Sequence, residues 1–335
     1  MAQKRTTISD IAHAAGVSLM TVSRAINNRD GINKETRIRI LKIAEQLGYR
    51  PSQLARGLVT HKSATLGLVM PDVANPFFAH IARGAEEIAY QHNYNLFLIN
   101  TNEDSKREKD ALNSLLEKEI DGVVLCSSRL SQEEMITFLE LLPAAVLVNR
   151  EIKLPNSRVA TLNVDDSSGT ESCLDYLIIK GRKNIALLAG PRFSVSGQRR
   201  LAGYQSGLRK HNLPIIPDHI EICSPTIQGG HEAALRLFQR CPYVDAIIAF
   251  NDLAAVGVLR ACQQTGRRIP EDVAVIGSDD IPLAALTSPS LTTLHVDLNA
   301  IGETAMRTLI RLIDSPEEKT EKIVIQPQLL LRQSA

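Results

Sequence analysis

The sequence predicts a small all-α helix-turn-helix unit followed by an α/β portion built of two doubly wound parallel-sheet subdomains. Three observations carry that prediction. The first fifty residues hold three short amphipathic helical patterns separated by a glycine turn and a polar turn. From Thr65 onward, short continuously apolar runs alternate with amphipathic stretches, the pattern of parallel strands covered by helices on both faces. Charge divides at the same place: residues 1–62 contain 11 Lys and Arg against 4 Asp and Glu, and the remainder contains 27 against 33. A basic head on an acidic body suits a polyanion bound at one end, and the whole-chain net charge of +1 conceals it.

Thr7 with Asp10 three positions on is a capping-box arrangement, and Ile8, Ile11, Ala12 and Ala15 recur behind it at helical spacing. Gly16 ends this first helix. Ser18 is placed to cap a second, in which Val22 and Ile26 form a narrow apolar stripe. Leu19, Met20, Thr21, Ser23, Arg24 and Asn27 are left on the outward face, where a recognition helix presents side chains to the major groove. Asn33 caps a third helix, whose core side is expected to be Ile38, Leu41, Ile43, Ala44 and Leu47 and which Gly48 stops ahead of Tyr49-Arg50-Pro51. Strands are expected over 66–70, 96–99, 122–126, 145–148, 185–188, 246–249 and 273–276. Each runs into polar residues, as in Pro71-Asp-Val-Ala-Asn75, Ser127-Ser-Arg129, Asn149-Arg150, Asn251-Asp252 and Ser278-Asp279-Asp280. Ligands of open α/β sheets bind beyond the carboxyl ends of the strands, so this rim is the expected pocket.

Composition narrows the function classes. With 335 residues and 44% hydrophobic content the chain can bury more than one core, and about two to three domains are expected. No export signal and no apolar run near the roughly 20 residues of a membrane span are found, which leads to the expectation of a cytoplasmic protein with no membrane partner. Cys126, Cys173, Cys223, Cys241 and Cys262 are odd in number, widely spaced and free of any Cys-x-x-Cys pair, so they read as reduced, buried thiols. There is no Walker phosphate loop, Gly-x-Ser-x-Gly elbow or His-Glu-x-x-His, and the eight histidines are dispersed. Catalytic residues, a metal and a cofactor are therefore not expected.

Longer motifs give the reading its specificity. They are Gly16-Val-Ser-x-x-Thr-Val-Ser-Arg24 and Leu47-Gly-Tyr-Arg-Pro51, then Pro71-Asp-Val-Ala-Asn-Pro-Phe-Phe78, Ile120-Asp-Gly-Val-Val124, Leu188-Ala-Gly-Pro191, Arg200-Leu-Ala-Gly-Tyr204, Phe250-Asn-Asp252, Gly277-Ser-Asp-Asp280 and Pro289-Ser-Leu-Thr-Thr293. Through them the chain resembles, over its whole length, the lactose-repressor type (LacI/GalR) family of transcription regulators, with a periplasmic-binding-protein-like sensor. The resemblance implies a DNA-binding domain at 1–50, a hinge helix and linker at 51–62, and an effector-binding and dimerisation domain at 63–335. Subdomain one would comprise 63–164 and 295–320, and subdomain two 165–292 and 323–335. The chain is expected to cross between them near 163–166, 292–296 and 318–323, with a helix over 299–314 in the first and a final strand over 322–331 in the second. No leucine heptad tail follows that strand, so a homodimer is expected rather than a tetramer.

The resemblance also implies residue roles. DNA contacts are expected from Thr7, Ser18, Leu19, Met20, Thr21, Ser23, Arg24, Asn27 and Asn33. Leu19 and Met20, being apolar, can meet a thymine methyl but make no bidentate hydrogen bonds, so Arg24 is expected to pair with a guanine and carry much of the direct readout; the alternative is that Leu19 or Met20 packs back on the third helix. In the hinge, Arg56 would touch the backbone or minor groove and Leu58 would wedge into it. Around the pocket the resemblance implies Asn75, Phe77, Phe78, Ser127, Asn149 and Arg150 from one subdomain and Ser196, Arg200, Asn251 and Asp279 from the other. One of the two phenylalanines is expected in the core, and Asp279 is alternatively a cap for the next segment. Relatives often offer a carboxylate where this chain has Asn149 beside Arg150, and Arg192, Phe193 and Gln198 precede Arg200, which leaves a sugar, an acidic sugar and a phosphorylated ligand all open. The function implied is sequence-specific repression at double-stranded operator DNA, controlled allosterically by a small polar effector. A sugar-binding module serving transport shares the sensor fold and is the alternative.

Overall fold

The computed structural model describes residues 6–49, 62–152, 154, 158–315 and 322–335. They fall into two units, Met1–Ser63 and Ala64–Ala335. In the first, α1 (Ile8–Ala15), α2 (Leu19–Ile26) and α3 (Lys34–Gln46) each start on a side-chain cap. The Thr7 amide donates to Asp10 Oδ2 at 2.8 Å and the Asp10 amide returns to Thr7 Oγ1 at 3.4 Å, satisfying two otherwise orphaned donors. Ser18 Oγ accepts from the Thr21 amide at 3.2 Å and Asn33 Oδ1 from the Thr36 amide at 2.7 Å. Gly16, at φ 62°, turns the chain out of α1 through the left-handed region where a side chain is penalised.

The core of this unit is Ile11, Ala12, Ala15, Val22, Ala25, Ile40 and Ala44. That corrects the face expected of α3: Ile40 and Ala44 are buried and Ile43 packs at the margin, while Ile38, Leu41 and Leu47 are exposed. Two helices of eight residues cover only one narrow stripe of the third. The i, i+4 pair 40/44 fills it, and Ile38 lies about 200° round the helix from Ile40.

The second unit carries two six-stranded sheets. Sheet one contains β1 (Thr65–Met70), β2 (Asn95–Asn100), β3 (Gly122–Cys126), β4 (Ala145–Val148), β5 (Val159–Val164) and β11 (Lys322–Ile325), in the order β11-β5-β4-β3-β1-β2. Sheet two contains β6 (Ile185–Ala189), β7 (Ile220–Ile222), β8 (Ala246–Ala249), β9 (Ala274–Asp279), β10 (Thr292–His295) and β12 (Gln328–Leu330), in the order β12-β10-β9-β8-β6-β7. Among the described residues every ladder is parallel except β10 with β12. Strand order reverses at β1/β3 in one sheet and at β6/β8 in the other, and those are the switch points beyond which an open sheet leaves a crevice.

On sheet one, α4 (Pro76–Gln91) and α12 (Leu298–Asp314) close one core, and α5 (Ser105–Glu117) and α6 (Gln132–Leu141) close the other. On sheet two the cores belong to α7 (Asp166–Ile179) with α8 (Val195–Lys210), and to α9 (Ile227–Arg240) with α10 (Asp252–Gln264). The short α11 (Pro282–Leu286) follows Ile281, which packs into the first subdomain's core with Val296 and Leu298. All five cysteines are buried and unpaired, and burial lifts the thiols of Cys126, Cys173, Cys223 and Cys262 to about 12.

The chain passes between the sheets at Asp165, at 296–297 and at 326–327. The last passage corrects the expected one near 318–323 and the assignment of 322–331 to subdomain two as a single strand. Lys322–Ile325 pairs in parallel with Thr161–Val164 and belongs to sheet one; Gln328–Leu330 pairs antiparallel with 293–295 and belongs to sheet two. Pro327, which has no amide to give to a ladder, breaks the run between them.

Candidate functional site

On the first unit, Leu19 and Met20 are 50% and 64% exposed and take no part in the core, which disposes of packing against α3. Arg24 and Asn27 share that exposure, and Thr21 and Ser23 are half-buried. Asn27 Nδ2 donates to the Ser23 carbonyl at 2.9 Å, and the Arg24 guanidinium lies beside Gly31, where an added Cβ would stand 3.1 Å from Nη1. Thr7, Ser18 and Asn33 mark the amino ends of the three helices, where backbone N–H groups and the helix dipole favour a phosphate. Arg56 and Leu58 lie outside the described residues.

In the second unit, a cleft of about 480 Å³, open mouth included, sits between the subdomains at the two switch points. Nine of the ten expected residues line it: Asn75, Phe77, Phe78, Ser127, Asn149, Ser196, Arg200, Asn251 and Asp279. Arg150 does not; its Nη2 donates to the Leu130 carbonyl at 2.6 Å. Asn149 stands just past the end of β4 in a left-handed conformation, so the chain turns there before Arg150.

The backbone aims these groups. Ser127 (φ 46°), Asn149 (φ 57°) and Asp279 (φ 111°), at the ends of β3, β4 and β9, all occupy left-handed conformations that cost a non-glycine residue about 1–3 kcal/mol. Asn75 and Asn251 cap α4 and α10, their Oδ1 atoms accepting from Phe77 N at 3.0 Å and Ala254 N at 2.9 Å. With the oxygen committed, the amide nitrogen carries the remaining donors. Phe77 and Phe78 meet edge to face at 5.0 Å, and both belong at once to the core and to the cleft wall, where one had been expected to be core alone.

Arg200 is the centre of the charge arrangement. Its Nε donates to Asp166 Oδ1 at 2.9 Å, Nη2 stands 3.5 Å from Asp279 Oδ1, Nη1 reaches the Phe250 carbonyl, and the guanidinium lies 4.9 Å from the Phe250 ring centroid. Asp279 does not cap α11; the Ile281 amide goes instead to Asp252 Oδ2 at 2.8 Å. Burial pushes the Asp279 carboxyl up to about 7, Arg200 opposing and Asp166 adding to the rise, and burial raises Asp166 as well.

Sequence reasoning missed Glu103, which lines the cleft and pairs at 2.5 Å with Arg129, a residue it set on the polar rim without a role, and Asp166, which it used only to mark a crossing. Glu103 follows β2 and Arg129 follows β3, so no spacing along the chain announces the pair. Among the described residues, the charged side chains of the cleft wall are thus two arginines and two carboxylates, each arginine within 3.5 Å of an acid.

Comparison with known proteins bears on the family and the fold. Residues 63–333 match the family described as "Periplasmic binding proteins and sugar binding domain of LacI family", and residues 7–52 match "Bacterial regulatory proteins, lacI family". The chain is 32% identical to catabolite control protein A of Priestia megaterium over 98% of both chains. It is also 32% identical to the ribose operon repressor of Escherichia coli K12, over 98% of this chain and 99% of that one. In fold it matches the lac repressor dimer bound to operator and the anti-inducer ONPF with a TM-score of 0.87 at 24% identity, covering 99% of each chain.

Proposed function

The chain belongs to the LacI family of bacterial regulatory proteins, as a DNA-binding transcription regulator and not an enzyme, and we propose that a neutral monosaccharide held between its two α/β subdomains controls its affinity for operator DNA. The observation that carries the choice of ligand is the internal pairing of the cleft's arginines. An acidic or phosphorylated sugar needs a cation free of competing acids, and here Arg200 already faces Asp166 and Asp279 while Arg129 faces Glu103. A polyol asks for what is left: carboxylate oxygens, amide N–H groups of Asn75, Asn149 and Asn251, hydroxyls of Ser127 and Ser196, and an apolar wall at Phe77 and Phe78. The 32% identity with a ribose operon repressor points the same way.

In this reading α2 enters the major groove with Arg24 on a base edge, and Arg56 and Leu58 serve the hinge contacts. The protein works in the bacterial cytoplasm as a repressor and a homodimer. The exposed apolar side chains Phe97 and Leu98 on the edge strand β2, with Tyr90 on neighbouring α4, support a second copy as their cover. A transport role is disfavoured by the regulatory DNA-binding match at residues 7–52.

The test is a thermal-shift panel of neutral pentoses and hexoses beside their phosphates and uronic acids, followed by operator titration with each hit. A ligand binding the native state at about a hundred times its Kd adds about 2.7 kcal/mol, a readily measured rise in Tm. A neutral monosaccharide is expected to raise Tm and change operator affinity. A response confined to phosphates or uronic acids would overturn the assignment.

A further inference from the structure

We infer that Arg129, clamped by Glu103 and stacked on Phe193, is a gate across the mouth of the effector cleft that limits the ligand to a single sugar ring; this rests on the effector reading above. Arg129 and Glu103 belong to the first subdomain, and Phe193 to the loop after β6 in the second. The guanidinium lies 5.3 Å from the Phe193 ring centroid, a cation–π contact that spans the two lips of the cleft.

Both sides of the gate are built. Arg129 is tied through Nε to Glu103 Oε2 at 2.5 Å and through Nη1 to the Ser127 carbonyl at 2.9 Å, and its own amide donates to the buried Glu108 Oε2 at 2.8 Å. Glu103 (φ 59°) and Ser127 (φ 46°) are held in left-handed conformations, so the frame around the guanidinium is set by the backbone. Across the cleft, Gln198 Nε2 donates to the Arg192 carbonyl at 2.9 Å and the Ser194 amide to the Pro191 carbonyl at 2.8 Å, fixing the turn that carries Phe193. The Arg129 side chain is only 10% exposed although Phe193 is 55% exposed. An aromatic ring standing that far into solvent gains from the contact with Arg129 what it lacks in burial. Ligand entry and exit require the two to part, and a second sugar ring would occupy the space where they meet.

The chain contains no tryptophan, so Phe193→Trp gives a single fluorescent reporter at the gate without a sugar being needed. In the full-length protein, the emission and acrylamide quenching of the Phe193→Trp variant should change when Arg129→Gln is added, since the glutamine keeps length and loses the cation. In parallel, D-ribose, D-glucose, maltose and sucrose are tested by thermal shift. The unaltered protein should respond to a one-ring probe and not to maltose or sucrose. Phe193→Ala should admit a two-ring probe and speed one-ring release about fivefold. Emission indifferent to Arg129→Gln, or a two-ring probe bound equally well with and without Phe193, overturns the gate. If no neutral sugar shifts the unaltered protein, the effector reading fails by itself, and the fluorescence pair still decides whether the cross-cleft contact exists.

Discussion

Arg24 and Arg200 put the same side chain to opposite uses. Arg24 is exposed on α2 with its five donors available, whereas Arg200 is sunk between two carboxylates, a backbone carbonyl and an aromatic ring. Arg24→Ala is therefore expected to cost about 1–3 kcal/mol on operator and much less on scrambled DNA, measured by titrating both. Equal losses would make Arg24 a phosphate contact. At Asp279 the expectation is a pH dependence. Burial holds this carboxyl at about 7, and a sugar hydroxyl donating to it favours the ionised form, so effector binding releases a proton and affinity rises with pH through that value. Calorimetry in buffers of differing ionisation enthalpy reads the proton directly, and Asp279→Asn should flatten the profile. Without effector the sign reverses: because the folded value lies above the ordinary 3.8, the stability contribution is complete below 3.8 and is lost as pH rises through 7. Residues of this kind were legible where one residue sits in a recurrent motif, as Asn75, Arg200 and Asp279 do. The pairing of Glu103 with Arg129 was not, because it exists only once the fold brings together the loops that follow β2 and β3, strands on either side of β1.

Helices in this protein meet at glycines, which weaken a helix in isolation and are needed where two backbones touch. A Cβ on Gly84 of α4 would stand 2.1 Å from the Asn299 carbonyl oxygen of α12, and one on Gly302 would stand 2.0 Å from that of Ile81. Gly230 of α9 has the same relation to the Ala254 carbonyl of α10. Gly302→Ala should force the two helices apart and lower stability by about 3 kcal/mol in a urea titration, with Gly230→Ala doing the same in the other subdomain. A loss below the scatter of such a titration would show that the helices slide without cost. The elements themselves were readable where hydrophobic run and burial coincide: β3, β4 and β8 are apolar throughout and buried on both faces. Those that escaped lack that signal. Thr161 and Asn163 interrupt β5, β7 is only Ile220–Ile222, and β10 begins with two threonines that sheet two buries completely. On α3, five apolar residues compete for one stripe, and the choice of 40/44 over 38/41 belongs to tertiary packing rather than to periodicity.

For the whole molecule, the two ligands obey different electrostatics. Residues 1–62 hold 11 of the 38 basic residues and only 4 of the 37 acidic ones, so operator binding is a meeting of a basic surface with phosphates that expels counterions. The effector cleft sets each of its two arginines against an acid of the protein itself and leaves neither free for an anion. The subdomains that form it are joined by three short passages, at Asp165, 296–297 and 326–327, and a ligand shared between them can shift their relative angle only by binding one arrangement better than another. Salt then separates the two steps. Between 50 and 200 mM salt, operator affinity should fall by roughly 10³-fold, while the affinity of a neutral sugar, measured on the same protein without DNA, should stay within about twofold. The coupling, taken as the ratio of operator affinities with and without saturating sugar, should also hold across that range, because it depends on the difference between two protein arrangements and not on the counterions both release. A neutral-sugar affinity that falls with salt alongside operator affinity would mean that anions of the salt compete for the arginines of the cleft, and that those arginines give up their carboxylates to receive an anion.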